Sequence, residues 1–223
     1  MAEKKVKPTK TVKNKKEDAS NKSISYFLMF LGGLAIVFLI SYYAFNGIGK
    51  LSYQGLTFTE EKMGKINLWT YSYYFKDVSG QLYQYNLYLR NNPKTNKVPV
   101  YGDSIALLFN KETPALLGFD NTGLMKCSDG VLAASSISEF VISNQIQKAV
   151  GTTNMAEVNS SNYTYVSCEK YPQYNVILLK TGNETRVDVS GNCYTITANN
   201  CEILPATEKF IVQTLVDTKK RII

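Results

Sequence analysis

The sequence predicts an α+β domain stapled by disulfides and tethered by an N-terminal transmembrane helix, and three observations carry that reading. Residues 24–45 form an uncharged apolar run of 22 residues. Beyond it, aromatic and β-branched segments alternate at period two between turn residues, and two stretches near 129–150 and 206–218 carry apolar side chains at helical spacing. All four cysteines lie beyond the apolar run, as in a domain that matures in an oxidising compartment. The expected architecture is a mainly antiparallel sheet with two packed helices.

The apolar run, ISYFLMFLGGLAIVFLISYYAF, spans roughly 33 Å as a helix, enough for a hydrocarbon core of about 30 Å. We place the anchor at 23–46. A cleavable signal has a shorter apolar region ending in small residues; here bulky Tyr42 stands near the end, and Gly47-Ile48-Gly49 is a poor cleavage site. Gly32-Gly33 lacks the G-x-x-x-G spacing of a helix-dimer motif. Residues 1–22 hold eight lysines against Glu3, Glu17 and Asp18. This composition predicts a disordered tail, and lysines stay cytoplasmic, so residues 50–223 are expected outside. Membrane lipid is the expected contact of anchor and tail, at about 1 kcal/mol per Lys near an anionic surface.

The tail supplies most of the net charge of +7. The outer domain is therefore close to neutral, and no nucleic-acid partner is expected. Histidine is absent, which excludes Ser–His and Cys–His catalysis and most zinc sites. No phosphate-loop, dinucleotide or nucleophile-elbow motif occurs. These absences predict no enzyme, no catalytic residues, no cofactor and no metal. Asp103 and Asp188 lack the loop pattern of a calcium site.

Residues 50–110 read as a Tyr-rich β part. A short strand at 56–58 precedes a strand at 66–75, a turn at 77–80 and a returning strand at 82–90, closed by Asn91-Asn92-Pro93. Another strand is expected at 104–109. Trp69 and seven tyrosines lie between Trp69 and Tyr101. Tyrosine joins an apolar body to a hydrogen-bonding tip and favours interfaces. We take Trp69, Tyr71, Tyr73, Tyr83, Tyr85 and Tyr88 as the candidate binding face; the competing reading puts one face of the hairpin in the core.

Residues 111–223 read as the cysteine-containing part. A helix is expected over 129–150, capped by Ser128 or Asp129 and stopped by Gly151. Short strands are expected at 163–167, 175–180, 185–189 and 194–197, and a last helix at 206–218 with Pro205 in its first turn. Cys127, Cys168, Cys193 and Cys201 contain no C-x-x-C, so two disulfides are expected. Local structure favours Cys127–Cys168 and Cys193–Cys201. Asn159, Asn162 and Asn183 are N-x-[ST] glycosylation acceptors; Asn21 fits the pattern but falls on the cytoplasmic side. Chemistry has two further candidates: the Cys127 thiol at a helix start, and carboxylates from Glu60, Glu61, Glu202 and Glu208. Arg90 reads as closing a strand.

YNLYLRNNP at 85–93, NCYTITANNCEI at 192–203 and PATEKFI at 205–211 resemble an uncharacterised group of single-pass membrane proteins from small-genome archaea. The resemblance implies an archaeal cell surface and compatible disulfides, and carries over no catalytic residue. The functional expectation is a non-catalytic surface protein that binds another envelope protein or a neighbouring cell. A membrane-tethered hydrolase and a pilin-like subunit are the alternatives; the latter lacks a processing site and a Glu near the helix start.

Overall fold

The structure, a computed structural model, describes residues 15–47, 49–76, 79–161 and 163–222. Most of the expected tail and Asn162 lie outside the described residues. The chain divides into two compact units, Met1–Ile48 and Gly49–Ile223. The first contains helix α1 (Lys15–Gly47), 33 residues long. Within it Ile24–Tyr42 has mean hydropathy 2.3 and no buried residue, so its length and composition suffice to cross a membrane. The helix begins earlier than the expected anchor, because Lys15, Lys16 and Glu17 favour helix and continue it.

The second unit opens with an antiparallel meander: β1 (Lys50–Tyr53), β2 (Leu56–Met63), β3 (Ile66–Lys76) and β4 (Leu82–Leu89), in that order. Gln54 and Gly55, both at positive φ, make the first tight turn. The period-two pattern is realised: Trp69, Tyr71, Tyr73 and Phe75 oppose Leu89, Leu87, Tyr85 and Tyr83 on one face.

The remaining elements are β5 (Val100–Gly102), β6 (Ala115–Phe119), α2 (Asn121–Leu124), α3 (Gly130–Ser143), β7 (Lys148–Thr152), α4 (Met155–Ser161), β8 (Asn175–Thr181), β9 (Arg186–Ser190), β10 (Cys193–Ala198) and α5 (Ile203–Ile222). Their strands form a second sheet in the order β5-β9-β10-β8-β6-β7. Its β9–β10 pairing is antiparallel and the others are parallel. The expected antiparallel sheet is thus the first one, and the second is mixed, because β6, β7 and β8 are joined by crossovers that return each strand in the same direction. β5 falls in the segment read as the Tyr-rich part, yet it pairs into the second sheet.

Helices α3 and α5 form the middle layer. Toward the first sheet, Phe140 meets Tyr85 with ring centroids 6.1 Å apart, and the Lys209 ammonium donates to the Tyr53 hydroxyl at 3.0 Å. Toward the second sheet, Phe210 meets Tyr194 at 5.6 Å. One core cluster runs through all three layers. Being covered on two sides, α5 buries residues around most of its circumference, including Thr207, Glu208, Thr214 and Asp217.

Several local expectations change. The helix expected over 129–150 ends at Ser143: Asn144 caps it, Gln145 takes φ 63°, and β7 follows. Gly151 lies inside β7 rather than stopping a helix, and a Cβ there would stand 2.2 Å from the Thr164 carbonyl. Residues 104–109 turn instead of pairing: the Ile105 N–H goes to Asp217 and the Phe109 N–H to the Ala106 carbonyl. Residues 163–167 make one bridge, Tyr165 with Thr152. The last helix begins earlier and ends later than expected. The disulfides are Cys127–Cys201 and Cys168–Cys193, correcting the expected pairing. Sequence proximity misled because β10 lies beside β8, next to the 163–174 segment, whereas the turn after β10 reaches the start of α3.

Candidate functional site

The tyrosine face divides. Tyr85 is buried, and Trp69, Tyr71 and Tyr73 are half-buried, packed against the core. Tyr73 stands 5.9 Å from Tyr71 and 5.4 Å from Tyr85 between ring centroids, and its hydroxyl donates to Asn144 Oδ1 at 2.7 Å. Burial pushes the Tyr71, Tyr73 and Tyr85 phenols up from their ordinary value. The candidate face therefore divides by burial: its inward members Trp69, Tyr71, Tyr73 and Tyr85 pack against the core beneath the sheet. Tyr83, at the far end of the hairpin, is partly exposed, and Tyr88 points to the opposite face.

That opposite face is open. Thr70, Ser72, Tyr74 and Lys76 oppose Tyr88, Asn86, Gln84 and Leu82. Tyr74 is 63 % exposed, Leu82 59 % and Tyr88 49 %. Ser72 donates to Asn86 Oδ1 at 2.7 Å and Gln84 to the same oxygen at 2.8 Å, which fixes a polar strip between the apolar groups. The sequence pattern held this face too, in Tyr74 and Leu82, but it did not reveal which side the helices cover.

Two clefts accompany it. One, of about 380 Å³, lies between the inner tyrosines and the end of α5, lined by Tyr71, Tyr73, Phe75, Leu108, Leu215 and Ile222. Lys219 at its rim is engaged, donating to the Gly55 carbonyl at 2.6 Å. The other, of about 580 Å³, opens at the carboxyl ends of β6, β7 and β8 and is mainly polar. Beside it sits Glu157, a buried carboxylate that the sequence reading missed. Thr122 N–H donates to it at 2.6 Å, the Thr122 hydroxyl at 2.6 Å and Asn121 Nδ2 at 2.9 Å, and the Thr152 hydroxyl also donates. Burial opposes its charge, but these donors outweigh it and hold the carboxyl down at about 2.

The carboxylates singled out from sequence do not converge. Glu60 and Glu61 lie in β2, Glu202 accepts from the Thr185 hydroxyl, and Glu208 accepts from the N–H groups of Arg90 and Asn91. Burial pushes Glu208 up, against those donors. Asp103 accepts from Gly191 N–H, and Asp188 pairs with Arg186 at 2.8 Å. Arg90 follows β4 directly and pairs with Asp129 at 3.2 Å. Among the described residues no group of three potential metal ligands occurs. All four cysteines are in disulfides, which removes the Cys127 thiol as a nucleophile. Asn159 and Asn183 are exposed. No family model, no curated protein and no solved structure matches the chain.

Proposed function

We propose that this chain is a single-pass membrane protein, its N-terminus cytoplasmic, whose extracytoplasmic domain is a non-catalytic binding module for another envelope protein or a neighbouring cell surface. The single observation behind the reading is the first sheet: its inner face is committed to the core, and its outer face presents Tyr74, Leu82 and Tyr88 to solvent. Exposed aromatics beside a fixed polar strip suit a protein interface. The Lys-rich segment before α1 supports the orientation, and the two disulfides support an oxidising location. Glycans on Asn159 and Asn183, an archaeal surface and lipid contact through α1 belong to the same proposal.

A photo-reactive side chain at position 74 or 88, introduced on intact cells, tests it against a control at the exposed Met125. We expect one protein adduct from positions 74 and 88 and none from 125. We also expect Tyr74→Ser with Tyr88→Ser to abolish adduct formation at position 82 without changing the melting temperature. Undiminished cross-linking in that double variant overturns the assignment.

A further inference from the structure

The larger cleft has a topology that favours ligand binding. β6 and β8 are adjacent and parallel, yet the chain leaves them in opposite directions: β6 connects through α3 to β7, and β8 leads to β9 and β10. Where connections diverge in this way, the carboxyl ends of the strands are left uncovered and a crevice opens. The 163–174 segment covers the neighbouring part of the same sheet face, packing Val166, Tyr171 and Tyr174 on Val176 and Leu178. The cleft lies where that cover ends.

Its lining has unused hydrogen-bonding capacity of both kinds. Asp120 accepts from Gly123 N–H at 3.1 Å and from the Thr181 hydroxyl at 2.7 Å, which leaves about two of its four lone-pair sites. Asn154 uses its oxygen for the Ala156 N–H, and among the described residues its amide N–H groups meet no acceptor. Lys180 and Thr195 line the cleft, and among the described residues neither side chain makes a hydrogen bond. Tyr165 contributes a half-exposed ring.

Phosphate is the usual occupant of such a crevice, received by the N–H groups of the helix that follows the first strand. Here those groups are already engaged: Thr122 N–H bonds Glu157, and Gly123 N–H bonds Asp120. Two carboxylates stand where an anion would sit. The remaining donors and acceptors line the cleft together with the aromatic Tyr165, and its charged groups are Lys180, Asp120 and Glu169, one cation against two carboxylates, so an anion is disfavoured. A ligand that donates and accepts at several neighbouring positions, carries no net charge and has one apolar face matches this set. We propose that the cleft binds a neutral carbohydrate, with Asp120, Asn154, Lys180 and Thr195 bonding adjacent hydroxyls and Tyr165 packing on the C–H face of the sugar ring. The proposal is independent of the partner of the antiparallel sheet.

Saturation-transfer NMR on the full chain, in a detergent without a sugar headgroup, tests it. Glucose, galactose, mannose and N-acetylglucosamine are the free probes, and the same sugars linked through C1 to serum albumin are the presented ones. We expect saturable binding of at least one sugar. Binding of free probes marks a soluble saccharide, and binding of conjugates alone marks a surface glycan. Lys180→Met should weaken it about tenfold and Thr195→Val about threefold. Neither side chain hydrogen-bonds among the described residues, so both variants should keep the wild-type melting temperature. Absence of binding by every sugar overturns the proposal, as does binding unchanged in both variants. Glycine or inorganic phosphate binding in place of sugars overturns it too.

Discussion

Glu157 shows how one side chain ties three elements together. It lies in α4, yet its donors come from the start of α2 and the end of β7. Its carboxyl is held at about 2, below the ordinary value near 4.3 that the unfolded chain regains. The sign follows: its stabilisation is complete above about pH 4.5 and is lost as pH falls toward 2. Glu157→Gln should lower the melting temperature at pH 7, with the gap to wild type closing between pH 5 and pH 2; a gap constant over that range refutes the assignment. Tyr73 offers a second test. Tyr73→Phe keeps the ring stack but leaves buried Asn144 Oδ1 without its donor, and should cost about 1 kcal/mol in denaturant unfolding. Neither arrangement was legible in the sequence, because 71 residues separate Tyr73 from Asn144 and 35 separate Thr122 from Glu157.

At the scale of elements, β3, β4, β8, β9 and β10 stand where the sequence placed strands, whereas β1, β5, β6 and β7 were missed. β3 and β4 pair with each other across a short turn, so local pattern sufficed. β6 reads ALLGF, a continuous apolar run with no alternation, because β7 and β8 flank it and both its faces are covered. The edge strand β5 depends on one residue. Gly102 has φ 95°, and a Cβ there would stand 1.9 Å from the Val189 carbonyl, the oxygen that also receives the Asp103 N–H at 3.1 Å. Gly102→Ala should cost about 2 kcal/mol and speed hydrogen exchange at Asp103; unchanged exchange and stability would show that β5 tolerates the displacement.

At the scale of the molecule, the disulfides close loops that the helical layer bridges. Cys127–Cys201 joins the start of α3 to the turn before α5, 74 residues apart in sequence, and Cys168–Cys193 ties the 163–174 cover to β10 across 25. In the chain-entropy model these contribute about 4.5 and 3.5 kcal/mol. Replacing Cys127 and Cys201 by Ala should therefore lower the melting temperature more than replacing Cys168 and Cys193. The second pair should instead loosen the cleft wall, read as protease cutting within 163–174. Non-reducing peptide mapping that recovers Cys127 joined to Cys168 would contradict the architecture itself.

The sequence by itself determined the apolar helix, the Tyr-rich hairpin of β3 and β4, the final amphipathic helix, the presence of two disulfides and the absence of histidine. Each of these is written in composition or in a period of 2 or 3.6 along a contiguous stretch. Tertiary structure alone decided which tyrosines face solvent, which cysteines meet, and where a polar cleft opens. Alternation states that a strand has two faces, but which face is buried depends on the helices that pack there, and α3 and α5 come from the other half of the domain. The crevice beside Asp120 and Lys180 is likewise a product of strand order, which no local pattern encodes.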